Sequence, residues 1–168
     1  MGRRGGLGIV SGAVLAGALL TACSPQPAAE ATPSAETARA AVHPESGLKV
    51  IPLTVTSKGR EHRFRVELAD TPNDQQMGLM FRTELGPDEG MIFPSTPPSA
   101  RSFWMKNTPL PLDIIFIGVD GRILNVAAMT TPYSLESIAS SGITRGVLEL
   151  AGGRAAELGI GPGDLVEW

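Results

Sequence analysis

The sequence predicts a mainly β fold: a single domain of β-sandwich, jelly-roll-like or barrel-like form, carrying one or two short helices. Three observations lead there. Several short segments alternate apolar and polar positions, the period of a half-buried strand. Glycine and proline, 20 and 14 of 168 residues, break these segments at short intervals. Every aromatic residue lies at or beyond Phe64, which places the folded unit at residues 48–168, the size of one domain.

The elements follow in order. Leu48–Thr56 alternates, and Ser57-Lys58-Gly59 makes a turn into a second strand, His62–Ala69, with Phe64, Val66 and Leu68 on one face. The period then changes. Thr71 reads as an N-cap, with Pro72 at the first helical position and Asp74 three residues after the cap, so a short helix is expected to about Phe81. "EGMIFP" reads as a short buried strand, and Arg101–Asn107 as another, stopped by Pro109 and Pro111. Leu112–Val119 and Arg122–Ala128 flank Asp120-Gly121, a hairpin signal that expects positive φ at both central residues. Arg145–Ala151 is a strand, Ala155–Leu158 a short helix with a glycine stop, and Gly161-Pro162-Gly163 a turn before the last strand. At that turn Asp164 is expected to cap backbone amides.

Residues 1–22 read as an export signal: Arg3 and Arg4 precede an apolar run, Leu7–Leu20, and Leu20-Thr21-Ala22-Cys23 follows. The run is shorter than the about 20 apolar residues of a spanning helix. The ending resembles a bacterial lipobox, which implies that Cys23, the one cysteine in the chain, carries lipid. Each buried methylene of such an anchor contributes roughly 0.8 kcal/mol. The expectation is a protein outside the cytoplasm, anchored through its N-terminal lipid. Ser24 favours an outer membrane where there is one. Residues 23–47, rich in Pro, Ala, Ser, Thr and Glu, read as a disordered tether, with His43 solvated. From Cys23 onward 12 Lys and Arg face 17 Asp and Glu, which argues against a nucleic-acid partner.

"GLMFRTEL", "EGMIF", "FWMKNTPLPLDIIFI", "DGRI", "VLELAGG" and "LGIGPGD" occur in order across the folded unit. In these motifs and their spacing the chain resembles the DUF192 family, also called UPF0127. The resemblance implies a mainly β fold of sandwich or jelly-roll type and frequent export. It brings no established catalytic residues.

The candidate site residues come from polar groups in apolar company. Lys106 and Asn107 follow Trp104, a combination suited to an anionic or sugar ligand: a cation, an amide and a flat wall. Asp113 in "PLDIIFI" and Glu149 in "VLEL" are carboxylates on apolar strands, costly unless paired. Asp113 could instead pair with Lys106 or Arg82 for structure alone. Arg82, after the first helix, could take a carboxylate or phosphate, or serve as a helix-end cation. Met80, Met91 and Met105 offer soft ligands for Cu(I), although methionine also fills cores. Zinc lacks ligands, and no cofactor motif or Ser–His–Asp arrangement is present.

The reading that follows is non-catalytic binding of a small polar or anionic ligand, or of an envelope glycan. The pocket would comprise Trp104, Lys106, Asn107, Asp113, Arg82 and Glu149. The alternatives are a glycan hydrolase or lyase using Asp113 and Glu149, a Cu(I) carrier, and a scaffold whose signature residues only maintain the fold.

Overall fold

The computed structural model describes residues 41–168. The expected export signal, Cys23 and most of the expected tether lie outside the described residues. The chain is mainly β, as the alternation predicts, with the strands gathered in one curled sheet. In order the elements are β1 (Ala41–Val42), β2 (Lys49–Ser57), β3 (Arg60–Leu68), α1 (Pro72–Met77), β4 (Glu89–Ser99) and β5 (Ser102–Phe103). There follow β6 (Leu112–Gly118), β7 (Ile123–Ala127), β8 (Ile138–Ala139), β9 (Thr144–Ala151), α2 (Arg154–Leu158) and β10 (Leu165–Glu167).

The main sheet runs β1-β2-β3-β4-β9-β6-β7, with β10 also on β2; β5 and β8 form a separate ribbon. The sheet curls into a half-barrel whose two ends meet at one rim. There the backbone of Gly121 accepts from Val166 N at 2.8 Å, and Ile123 N donates to Asp164 O at 2.9 Å. Neighbours are antiparallel except β3 and β4, which pair in parallel from Arg65↔Glu89 to Leu68↔Ile92. A parallel pair needs a crossover, and residues 69–88, including α1, supply it.

Two cores result, one on each side of the central strands. The concave side holds Leu53, Val55, Phe64, Val66, Ile92, Ile115, Ile117, Leu148, Leu150 and Val166. The other side holds Leu79, Met91, Phe93, Met105, Leu112, Ile114, Phe116 and Val147, covered by the segment after α1, through Leu79 and Leu85, and by Phe103 of β5. All seven residues of β6 are buried, so both faces of this strand are core.

Local chemistry explains most boundaries. Lys58 and Gly59 take φ of +49° and +77°, the paired positive values of a two-residue hairpin turn. Thr71 caps α1, its hydroxyl oxygen accepting from Asp74 N at 3.2 Å. The helix stops at Met77, not near Phe81, because Gly78 leaves helical space at φ +51°, ψ −137°. In the β6–β7 connection only Gly121 has positive φ, not Asp120. Gly121 N donates to Gly118 O, which makes a bulged turn in place of the tighter hairpin expected. The strand expected over Arg101–Asn107 shrinks to Ser102–Phe103: Trp104 leaves the ribbon, and Asn107 turns the chain at φ +54°. Asp164 caps as expected, its carboxylate accepting from Gly161 N at 2.8 Å.

The fold takes in residues before 48. Ala41 and Val42 pair with Val50 and Lys49 of β2. The turn between them is held by Arg82, which grips the buried Glu67 carboxylate through two nitrogens at 2.9 and 3.1 Å. Arg82 Nε meets Glu45 at 2.9 Å, the Ser46 hydroxyl donates to Glu67, and His43 Nε2 lies 3.7 Å from the same carboxylate. His43 is therefore not a free tether residue. Arg82 is likewise engaged within the fold, its guanidinium taken up by internal carboxylates. Removing one member of a buried pair strands the other. Arg82→Ala should therefore lower the unfolding free energy by about 3–5 kcal/mol, measured by urea denaturation.

Candidate functional site

A cleft of about 460 Å³ opens between α1 with its following turn and the segment 101–108. Its position follows from the crossover, which lays α1 over the outer face of β4 and β9. Gln75 ties the two walls together. Its amide nitrogen donates to Ala69 O at 3.1 Å and Pro94 O at 2.8 Å, and its oxygen accepts from Arg101 Nη2 at 3.0 Å.

The aromatic floor is continuous. Phe103 packs edge-on against Phe93 at 5.1 Å and against Phe116 at 6.1 Å. The Arg101 guanidinium lies 5.5 Å from the Phe103 ring centre, and Lys106 Nζ lies 5.1 Å from that of Trp104. Partial burial lowers the Arg101 pKa from its ordinary value by desolvation, yet an arginine remains cationic at neutral pH. Trp104 and Phe103 divide as a strand would divide them: Phe103 packs inward, and Trp104 is half exposed at the mouth.

Three loops meet beside the cleft through residues held at positive φ: Phe81 (+64°) and Asn107 (+54°), which line it, and Tyr133 (+61°), which does not. Phe81 N donates to Asn107 O at 2.8 Å, and Tyr133 N donates to Thr108 O at 3.1 Å. Bulky side chains in this region cost roughly 1–2 kcal/mol each, yet Phe81 and Tyr133 point outward, 66% and 63% exposed. The Asn107 amide donates to the Met80 sulfur at 3.8 Å.

Glu149 lines the cleft from β9, opposite Met91 and Ile114. It is 5% exposed. Among the described residues its carboxyl has neither a salt bridge nor a hydrogen-bond partner. Burial pushes it up to about 8 from an ordinary 4.5.

Asp113 is elsewhere. It faces Leu150 across the β6–β9 pair, whereas Glu149 faces Ile114. Directly opposed residues share a face, so the two carboxylates project to opposite sides of the sheet. No acid/base pair can form between them, and Asp113 leaves the candidate pocket. Its oxygens accept from Met129 N and Gly153 N at 2.9 Å and from Ala155 N at 2.8 Å, seating the start of α2. It does not pair with Lys106, whose contact is the Trp104 ring. Met91 and Met105 are buried in the outer core, with Met105 Sδ accepting from the Thr130 hydroxyl at 3.1 Å, while Met80 lines the cleft.

Four of the six residues expected to form the pocket thus share one cleft: Trp104, Lys106, Asn107 and Glu149. Arg101 and Gln75 were not singled out. Arg101 gains its role from Gln75, 26 positions away, and no local pattern marks that contact.

Between pH 4.5 and about 8 the folded chain holds a proton on Glu149 that the unfolded chain has lost. Stability from this group is full below that window, falls as pH rises through it and is lost above it, by at most roughly 1.4 kcal/mol per pH unit. The unfolding free energy of Glu149→Gln should therefore gain on that of the parent across the window in denaturation series. A pH-independent difference would show that Glu149 is solvated or paired.

The DUF192 family profile, described as "Uncharacterized ACR", matches residues 53–168. A solved protein of unknown function from Novosphingobium aromaticivorans DSM 12444 is 56% identical with a TM-score of 0.76, covering 79% of this chain and 95% of that one. A second, from Sinorhizobium meliloti 1021 and provisionally described as a transcription regulator, is 39% identical with a TM-score of 0.69, covering 71% and 94%. No curated protein matches. The motifs read from the sequence, the matched span and the shared fold agree: the chain belongs to the DUF192 family.

Proposed function

We propose that this protein binds a small polar or anionic ligand, or the acidic sugar of an envelope glycan, without catalysis. The observation that carries this reading is a carboxyl without a protein partner, 5% exposed in a cleft that is also lined by two cations braced on aromatic rings. A polar group that meets only the space of a cleft is open to a partner from a ligand. Arg101 and Lys106 are the anion-binding groups, Trp104 is the stacking wall, and Asn107 donates at the edge. Arg82 and Asp113, whose partners are all internal, belong to the scaffold. The separation of Asp113 from Glu149 leaves the hydrolase reading without its acid/base pair.

A thermal-shift screen of the full-length protein with sugar acids, small carboxylates and phosphorylated compounds tests the reading. A ligand at a hundred times its Kd stabilises by about 2.7 kcal/mol. Arg101→Ala and Lys106→Ala should each abolish the shift, and exposed Lys106 should itself alter stability by no more than about 0.5 kcal/mol. A shift that survives both substitutions would place the ligand elsewhere.

We propose further that the domain works outside the cytoplasm, anchored through lipid on Cys23. Transcription regulation, the role given in the description of the Sinorhizobium protein, would find little support here if it required nucleic-acid binding, because 12 Lys and Arg face 17 Asp and Glu after residue 22. Cys23→Ala should move the protein from the membrane to the soluble fraction and abolish labelling by radioactive palmitate. Retention of the variant in the membrane would refute the anchor.

A further inference from the structure

We propose that the ligand is dipolar: a free amino acid or short peptide whose ammonium group seats on Glu149 and whose carboxylate lies on Arg101 and Lys106. This rests on the cleft being a binding site and adds the chemical class of what it binds.

The charges are separated by depth. Glu149 lies at the base, 5% exposed, and both cations lie further out. No described cation lies within ion-pair distance of Glu149, and burial alone accounts for its raised pKa. Arg101 and Lys106 are positioned by other contacts: Gln75 and the Phe103 ring hold the arginine, and Trp104 supports the lysine. An anion alone would satisfy the mouth and leave the base unpaired. A neutral sugar would leave Glu149 protonated and the cations unused. An ammonium group supplies the counter-charge that a buried carboxylate requires.

Between base and mouth the walls include Leu79, Met80, Phe93 and Phe103, an apolar lining suited to an aliphatic or aromatic side chain. The volume of about 460 Å³ is at the small end of ligand sites, which run from about 300 to 1,000 Å³. A planar guanidinium fork is well matched to a carboxylate.

The pairing has a proton balance. At pH 7 the Glu149 carboxyl is protonated and the ligand amine is already an ammonium. Forming the carboxylate–ammonium pair therefore expels the Glu149 proton to solvent, and the ligand gains none.

Isothermal titration calorimetry on the full-length protein at pH 7, in two buffers of different ionisation enthalpy, reads that proton directly. The probes are free apolar L-amino acids, unmodified dipeptides and the N-acetyl form of each. The free compounds should bind with release of about one proton per ligand. Their N-acetyl forms should bind at least about ten-fold more weakly and release none. Glu149→Gln should abolish the release and bring free and acetylated compounds to similar affinity. Should the acetylated forms bind as tightly, or the free ones bind without proton release, the dipolar assignment is wrong. The cleft reading still stands in that case if Arg101→Ala and Lys106→Ala weaken the acetylated compounds. Binding of neither kind overturns the assignment as well, and the anion screen above then decides the cleft separately.

Discussion

The structure depends on one constraint: its central strands are buried on both faces. β6 is core along its whole length, and β9 through its middle, because the half-barrel closes over one side while the segment after α1 and the β5 segment cover the other. On such strands a polar side chain has no water to fall back on, so its partner must come from the fold. Asp113 meets this with three backbone N–H groups, and so becomes the seat of α2. Thr144 meets it through the Ser95 hydroxyl and the Ser99 carbonyl. Glu149 alone among the carboxylates of these strands has no such partner. Its distinction is visible only against the completeness of the others.

The cleft is a consequence of topology. A parallel β3–β4 pair forces the chain across the sheet, and the crossing segment carries α1 and the turn behind it. Gln75 then fixes the distance between this segment and Arg101, using both ends of its amide. The residues at positive φ beside the cleft carry a conformational cost that their exposed side chains do not repay within the chain.

Two carboxylates that look alike in sequence play opposite parts. Each stands alone in an apolar run, and each strand reads as core. Alternation along β6 does place Asp113 with Ile115 and Ile117, away from Leu112, Ile114 and Phe116, as observed. The register between β6 and β9 cannot be read from either strand alone, and a shift of one residue would put both carboxylates on the same face. Arg82 shows the same limit. Its charge suggested a ligand, yet its partners lie at Glu67 and Glu45, remote in the chain. The turn at Asn107 ends the ribbon where apolar patterning alone would continue it.

The sequence by itself determined the β class, most strand positions, the cap at Thr71, the turn at Lys58-Gly59, and the motifs that place the chain in its family. These rest on interactions between residues a few positions apart, and short-range sterics and hydrogen bonding suffice for them. Only the tertiary structure decided the parallel crossover, the two-sided core, and which polar residues are partnered. Each of those depends on contacts between distant segments, where a side chain's meaning comes from what the fold brings against it. For Asp113 that is the start of a helix; for Glu149 it is an open cleft.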